Sequence, residues 1–154
     1  MFGGARASSD GLGAAPAAPI RSVTNPACTP FFLEGHRGKL FAVHHRPSAH
    51  VSCRGHVLCV QPFNEEMNRC RSMVTLMARR LATSGWGTLV VDPHGTGDSA
   101  GDFEDARWDV WLDDLARAAR WLDAQPGERR VVWGIRLGAI LAARVLASSG
   151  RAGT

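Results

Sequence analysis

The stretch Val131-Val132-Trp133-Gly134-Ile135-Arg136-Leu137-Gly138-Ala139 decides how this chain is read. Valine and tryptophan favour a strand. Two glycines four positions apart then bound a tight turn, and the apolar residues of 139–148 continue as a helix. Strand, Gly-x-x-x-Gly and helix form the frame of Gly-x-Ser-x-Gly, in which a sharp turn lifts a nucleophile above a sheet. Here the middle position is Arg136. The frame is either such a turn without its attacking atom or a plain strand–turn–helix with two glycines.

The preceding residues repeat the same kind of unit. Residues 31–34 read as a short strand, 35–38 as a turn, and 39–45 as an alternating second strand that closes a β-hairpin. Residues 56–60 are an almost continuous apolar run, as expected of a strand covered on both faces. A polar connection at 62–68 leads into a helix whose apolar positions are Met67, Cys70, Val74, Met77, Ala78 and Leu81, with Gly85 as its stop. Residues 88–92 form the next buried strand, followed by a Gly- and Asp-rich loop at 93–105. Trp108, Trp111, Leu112, Leu115, Ala119 and Leu122 mark a second amphipathic helix, ended by Pro126-Gly127. The strand at 131–133 and the helix at 139–148 complete the order β-β-β-α-β-α-β-α. That order predicts an α/β fold, a mostly parallel sheet flanked by helices and preceded by a β-hairpin.

Residues 1–30 are rich in Gly, Ala and Pro and read as a disordered extension. Residues 31–148 read as the folded domain and 149–154 as a flexible end. The extension lacks the basic start and apolar run of a signal peptide, so a cytoplasmic protein is expected. A start assigned too far upstream would have the same composition. No apolar run approaches the ~18 residues of a membrane span. The formal charge of +4 comes almost wholly from scattered arginines, Lys39 being the only lysine, and this excludes a clustered nucleic-acid footprint.

Two ligand motifs are weak on geometry. His50, Cys53, His56 and Cys59 recur every third residue, but side chains alternate along a strand, so His56 and Cys59 fall on opposite faces and no metal is expected. Gly95-Thr96-Gly97-Asp98-Ser99-Ala100 matches G-x-G-x-x-A. It does not open a helix, and Asp98 sets a negative charge where a pyrophosphate would lie. No cofactor is expected.

In an open α/β sheet, ligands bind beyond the carboxyl ends of the strands. Three segments lie there: Gln61-Pro62-Phe63-Asn64-Glu65-Glu66, Asp92-Pro93-His94-Gly95-Thr96-Gly97-Asp98-Ser99, and Gly134-Ile135-Arg136-Leu137-Gly138. Their order and spacing resemble the N-terminal half of an α/β-hydrolase fold. Together with Gly101-Asp102-Phe103 and the helix bearing Trp108 and Trp111, they are similar to the exosortase A system-associated hydrolases of type 2, over about residues 31–147. The resemblance implies a partial α/β-hydrolase domain and a hydrolase of ester or amide bonds. It implies an oxyanion hole from the N–H of Leu137 and of Phe63 or Asn64.

The rest of the machinery departs from that pattern. Arg136 occupies the nucleophile position, and a guanidinium is always protonated and cannot attack a carbonyl. The family's acid and histidine follow the elbow helix, and no His follows His94 in this sequence. An inactive chain is therefore expected, truncated relative to the family. The alternatives are a non-catalytic module that grips an anionic ligand with Arg136, and a non-functional fragment. Ser99 and His94 share one loop and read as turn residues rather than a catalytic pair. Glu65 and Glu66 have two readings, an ion pair with Arg136 or acidic residues favoured by a helix N-terminus. With nothing beyond it, the apolar strand at 131–133 would carry an unpaired edge, and self-association is expected there. The other expected partner is a small-molecule substrate or anion.

Overall fold

A computed structural model describes residues 27–149. The elements are β1 (Cys28–Glu34), β2 (Lys39–His45), β3 (Gly55–Val60), α1 (Glu65–Thr83), β4 (Trp86–Val91), α2 (Trp108–Asp123), β5 (Arg129–Gly134) and α3 (Leu137–Ser149). One five-stranded sheet runs in the order β1-β2-β4-β3-β5. β1, β2 and β4 pair antiparallel, and β4, β3 and β5 pair parallel. The expected α/β architecture with its leading hairpin is the one observed.

Period-two alternation divides the core into two layers. Leu58 and Val60 of β3 and Leu89 and Val91 of β4 face α2 and α3, where Trp111, Leu115, Ala118, Leu122, Leu141 and Val145 meet them. Cys59 and Val90 point the other way, onto Val74 of α1. β3 is buried along its whole length because helices cover both faces. α1 buries Met67, Val74, Ala78 and Ala82, a spacing that keeps one helical face on the sheet. Among the described residues, no helix is long and apolar enough to cross a membrane.

Several boundaries differ from the sequence reading. Residues 28–30 belong to β1, not to the extension, pairing with Val43, His44 and His45. Pro30 is tolerated because β1 is an edge strand and needs no N–H on its outer side. Residues 1–26 and 150–154 of the two expected tails lie outside the described residues, while Ser149 belongs to α3. α1 starts at Glu65, inside the expected polar connection, because two carboxylates in a first helical turn are favoured by its dipole. α3 starts at Leu137, so the turn after β5 is only two residues long.

Candidate active site

The turn after β5 is shaped by contact with β3. The N–H of Ile135 donates to the carbonyl of Val60 at 3.0 Å, the last rung of the ladder. Gly138 then lies against the end of β3, where a Cβ would stand 2.6 Å from the Gln61 carbonyl oxygen. A Cβ on Gly134 would stand 2.7 Å from the backbone N of Ala139 and the O of Gly138. Only glycine fits either position. Between them Arg136 is held at φ 53°, in the left-handed region that costs an L-residue about 1–2 kcal/mol. The N–H groups of Gly138 and Ala139 close the turn onto the carbonyls of Ile135 and Arg136, each at 2.9 Å, and α3 follows.

The loop after β3 faces this turn. Among the described residues, Asn64 is the one other non-glycine with positive φ, at φ 63° and ψ −142°. Strained backbone of this kind clusters at functional sites. The strain is held by packing. The Phe63 ring lies 4.8 Å from the Trp111 ring centroid and 5.8 Å from that of Phe103, while the Asn64 carbonyl accepts from Met67 N–H at 3.1 Å. The N–H groups of Phe63, Asn64 and Leu137 donate in none of the loop hydrogen bonds among the described residues. Leu137 is the first residue of α3, where helical N–H groups have no intrahelical acceptor.

Arg136 reaches across the two loops. Its Nη1 donates to Oε1 of Glu66 in the first turn of α1. Both readings of the acidic pair thus hold for Glu66, which opens the helix and also binds the guanidinium; Glu65 shares only the helix position. The pair is open to solvent, with the Arg136 side chain 67% and the Glu66 side chain 47% exposed. It adds little stability and keeps the guanidinium presented at the surface.

The loop after β4 is built on one buried carboxylate. Asp92 is 2% exposed. Its Oδ2 accepts from Arg71 Nη2 at 2.8 Å and from Asp98 N–H at 3.3 Å, and its Oδ1 from Gln61 Nε2 at 3.5 Å. The Ser99 hydroxyl donates to the Asp92 carbonyl and accepts from Phe41 N–H at 2.8 Å. Ser99 is therefore a clasp between the loop and β2. His94 is buried, with its N–H on Asp114 Oδ2 at 3.0 Å and its carbonyl taken by Trp111 Nε1 at 2.8 Å. No hydrogen bond among the described residues joins the His94 ring to Ser99.

A cavity of about 590 Å³ opens between the start of α1 and the loop after β4, walled by Asn64, Asn68, Arg71, Thr96, Asp98 and Phe103 among others. Of the residues expected in the cleft, Asn64 and Asp98 line it. Glu65, Glu66, His94, Ser99, Phe63, Leu137 and Arg136 do not. Arg71 was missed because it occupies an ordinary polar position of α1. Asp114 carried a readable signal, since it falls on the apolar stripe of α2 with Trp111, Leu115 and Ala118, and a carboxylate there needs buried donors. It finds them in the N–H groups of His94 and of His36, at 3.0 and 3.1 Å. Among the described residues, no group of three or more His, Cys, Asp or Glu side chains comes together to hold a metal ion, and His50, Cys53, His56 and Cys59 do not form one.

A sheet ordered β1-β2-β4-β3-β5, with a two-glycine elbow after β5 and a strained loop after β3, is the N-terminal half of the α/β-hydrolase fold. Est1E from Butyrivibrio proteoclasticus, solved with ferulic acid bound, matches with TM-score 0.68 and 21% identity, over 79% of this chain and 48% of its own. XC6422 from Xanthomonas campestris, a member of the α/β serine hydrolases without a lid, matches with TM-score 0.65 and 26% identity, over 79% and 56%. A thermostable carboxyl esterase from Bacillus coagulans, in complex with glycerol, matches with TM-score 0.62 and 19% identity, over 80% and 41%. The chain spans about half the length of the structures it matches. No protein-family model and no curated protein matches the chain.

Proposed function

We propose that this chain is the N-terminal half of a protein of the exosortase A system-associated type 2 hydrolase branch, with a cleft that binds a carboxylate-bearing small molecule without cleaving it. The ion pair between Arg136 and Glu66 carries the reading. The residue raised by the elbow is a permanent cation, which cannot become an acyl-enzyme nucleophile. Glu66 already holds it as a ligand carboxylate would, in a charge-assisted bond. An incoming carboxylate takes the place of Glu66, and its neutral part rests toward the Arg71 and Asn64 wall of the adjoining cavity.

Two assays test this on the 154-residue protein. With p-nitrophenyl acetate, the wild type, Arg136→Ser and Arg136→Ala are all expected to show background rates. Turnover by the wild type that disappears in Arg136→Ala would overturn the non-cleaving reading. Titration with glucuronate followed by thermal shift is expected to show binding that Arg136→Ala removes. Glu66→Gln releases the guanidinium from an exposed pair, and is expected to tighten binding about two- to fivefold. Failure of both the wild type and Glu66→Gln to respond to any carboxylate would refute the binding reading.

A further inference from the structure

Two buried imidazoles play no part in the elbow or its cleft. Side chains alternate along a strand, so His44 shares a face of β2 with Leu40 and Ala42, and His56 shares a face of β3 with Leu58 and Val60. Both rings therefore lie under α2. His56 is 1% and His44 6% exposed. Gly87 of β4 stands beside His56, where a Cβ would collide with the imidazole; the glycine lets that ring lie across β4, with its centroid 5.2 Å from that of His44. Buried polar groups are nearly always hydrogen-bonded. Among the described residues, neither nitrogen of His56 nor Nε2 of His44 has a partner. The Pro126 carbonyl beside the His56 ring accepts instead from Cys53 Sγ, at 3.3 Å.

Both rings border a cavity of about 440 Å³, which Trp121 of α2, Pro126, Val51 and Arg46 also line. It lies at the end of the sheet away from the elbow. At about 3.3 Å per residue, the six residues of β3 put roughly 15 Å between His56 and the elbow turn. None of its lining residues belongs to β5 or α3. The loop at 46–54 that walls it is pinned at both ends, Ser48 N–H donating to the Ala82 carbonyl at 2.9 Å and Arg54 N–H to that of Gly85 at 2.8 Å. Trp121 is fixed by Phe31, 4.8 Å away, and by the edge of His44, 5.0 Å away. Cys53 and His56, half of the series that recurs every third residue, meet at this cavity, while Cys59 turns to α1. They do not come together with His44 as a group of metal ligands.

We propose that this cavity binds a small aromatic carboxylate, its ring against Trp121 and its acid group between Arg46 and the two imidazoles. The charge selects the sign of the ligand, because Arg46 is permanently cationic and no carboxylate lines the cavity. A neutral imidazole supplies one N–H donor. Rotation about χ2 turns a nitrogen to the cavity, and at His56 it breaks no hydrogen bond. The ligand oxygens thus pair groups that the fold buries without partners, which is where a new hydrogen bond gains most. Trp121, Pro126 and Val51 supply the apolar walls for a planar ring. The volume falls within the range of small-molecule sites and takes one or two fused rings.

Calorimetry on the 154-residue protein with indole-3-acetate tests the site. Saturable binding is expected, with tryptophol, the same ring bearing a neutral alcohol, at least about tenfold weaker. No binding of indole-3-acetate or benzoate up to about 10 mM, or equal binding of tryptophol, would overturn the proposal. Arg46→Gln removes an exposed charge and is expected to weaken binding about five- to tenfold with Tm unchanged; undiminished affinity would remove Arg46 from the site. Imidazole NMR on the wild type locates the ligand without any variant. The His44 and His56 resonances are expected to shift on titration and those of His36 and His94 to stay. Saturation with His44 and His56 unmoved would refute the assignment. Arg136→Ala separates this site from the elbow. It is expected to bind indole-3-acetate as the wild type does, and loss of that binding would place the compound in the elbow cleft and overturn the proposal; loss of glucuronate binding in the same variant bears on the elbow alone.

Discussion

Acidification from pH 7 to pH 5 is expected to destabilise this protein well before its carboxylates titrate. His44, at the end of β2, is 6% exposed, with its ring 5.2 Å from His56 and 5.0 Å from Trp121. Burial, followed by the charges of His56, Arg46 and His45, lowers its pKa from 6.5 to about 4. Burial also lowers His45 and His56, the first helped by Arg79 and the second by Arg130. The native protein therefore binds fewer protons than the unfolded chain between these values, and stability falls as pH falls. The contribution is complete above about pH 6.5, is lost progressively on acidification, and levels off below about pH 4. For His44 alone, lowering from 6.5 to about 4 gives a ceiling of about 3 kcal/mol. Urea denaturation at pH 8, 7, 6 and 5 measures the slope. The wild type is expected to lose about 1–2 kcal/mol between pH 7 and pH 5, and His44→Gln, which cannot ionise, to lose clearly less over the same range. Equal slopes in the two proteins would refute the role given to His44, and a flat wild-type profile would refute the buried neutral imidazoles altogether.

Two further outcomes test the scaffold of the site. Asp114→Ala leaves the buried N–H of His94 and the N–H of His36 without their acceptor, and is expected to lower stability by about 2–4 kcal/mol, read by chemical denaturation. Gly138→Val drives a side chain into the backbone of Val60 and Gln61, which cannot move without breaking the β3 ladder, and is expected to lose at least about 2–3 kcal/mol; Tm within a degree of the wild type would show that the elbow is not held against β3.

The sequence was legible where one physical rule acted alone. Alternation gave β2 and the buried run gave β3, and the two glycines around Arg136 announced a turn that the packing against Val60 and Gln61 explains. It was less legible where two rules competed. Composition drew residues 28–30 into the extension although they pair as the edge strand β1, and Glu65-Glu66 had both an ion-pair and a helix-start reading inside a stretch taken as a polar connection. The cleft was harder still. Asp92 sat at a strand end as expected, but its partner Arg71 lies 21 residues away, and no local pattern reports a contact made by tertiary folding. Ser99 shows the converse. As a residue type it fits a nucleophile, and as a position it is a clasp on Asp92 and Phe41.

The backbone of the elbow and its chemistry are separable here. Gly134 and Gly138 are required by the closeness of the strand, turn and helix, whatever residue stands between them. The left-handed turn at Arg136 is imposed by that packing and is independent of the side chain. The same holds across the cleft, where Phe63 among Trp111 and Phe103 fixes the strained Asn64 loop without using any reactive atom. The residues that build this frame are thus distinct from the residue that the elbow raises. Under the proposed reading, what fills the raised position sets the chemistry, and a guanidinium paired with Glu66 serves charge recognition in place of attack.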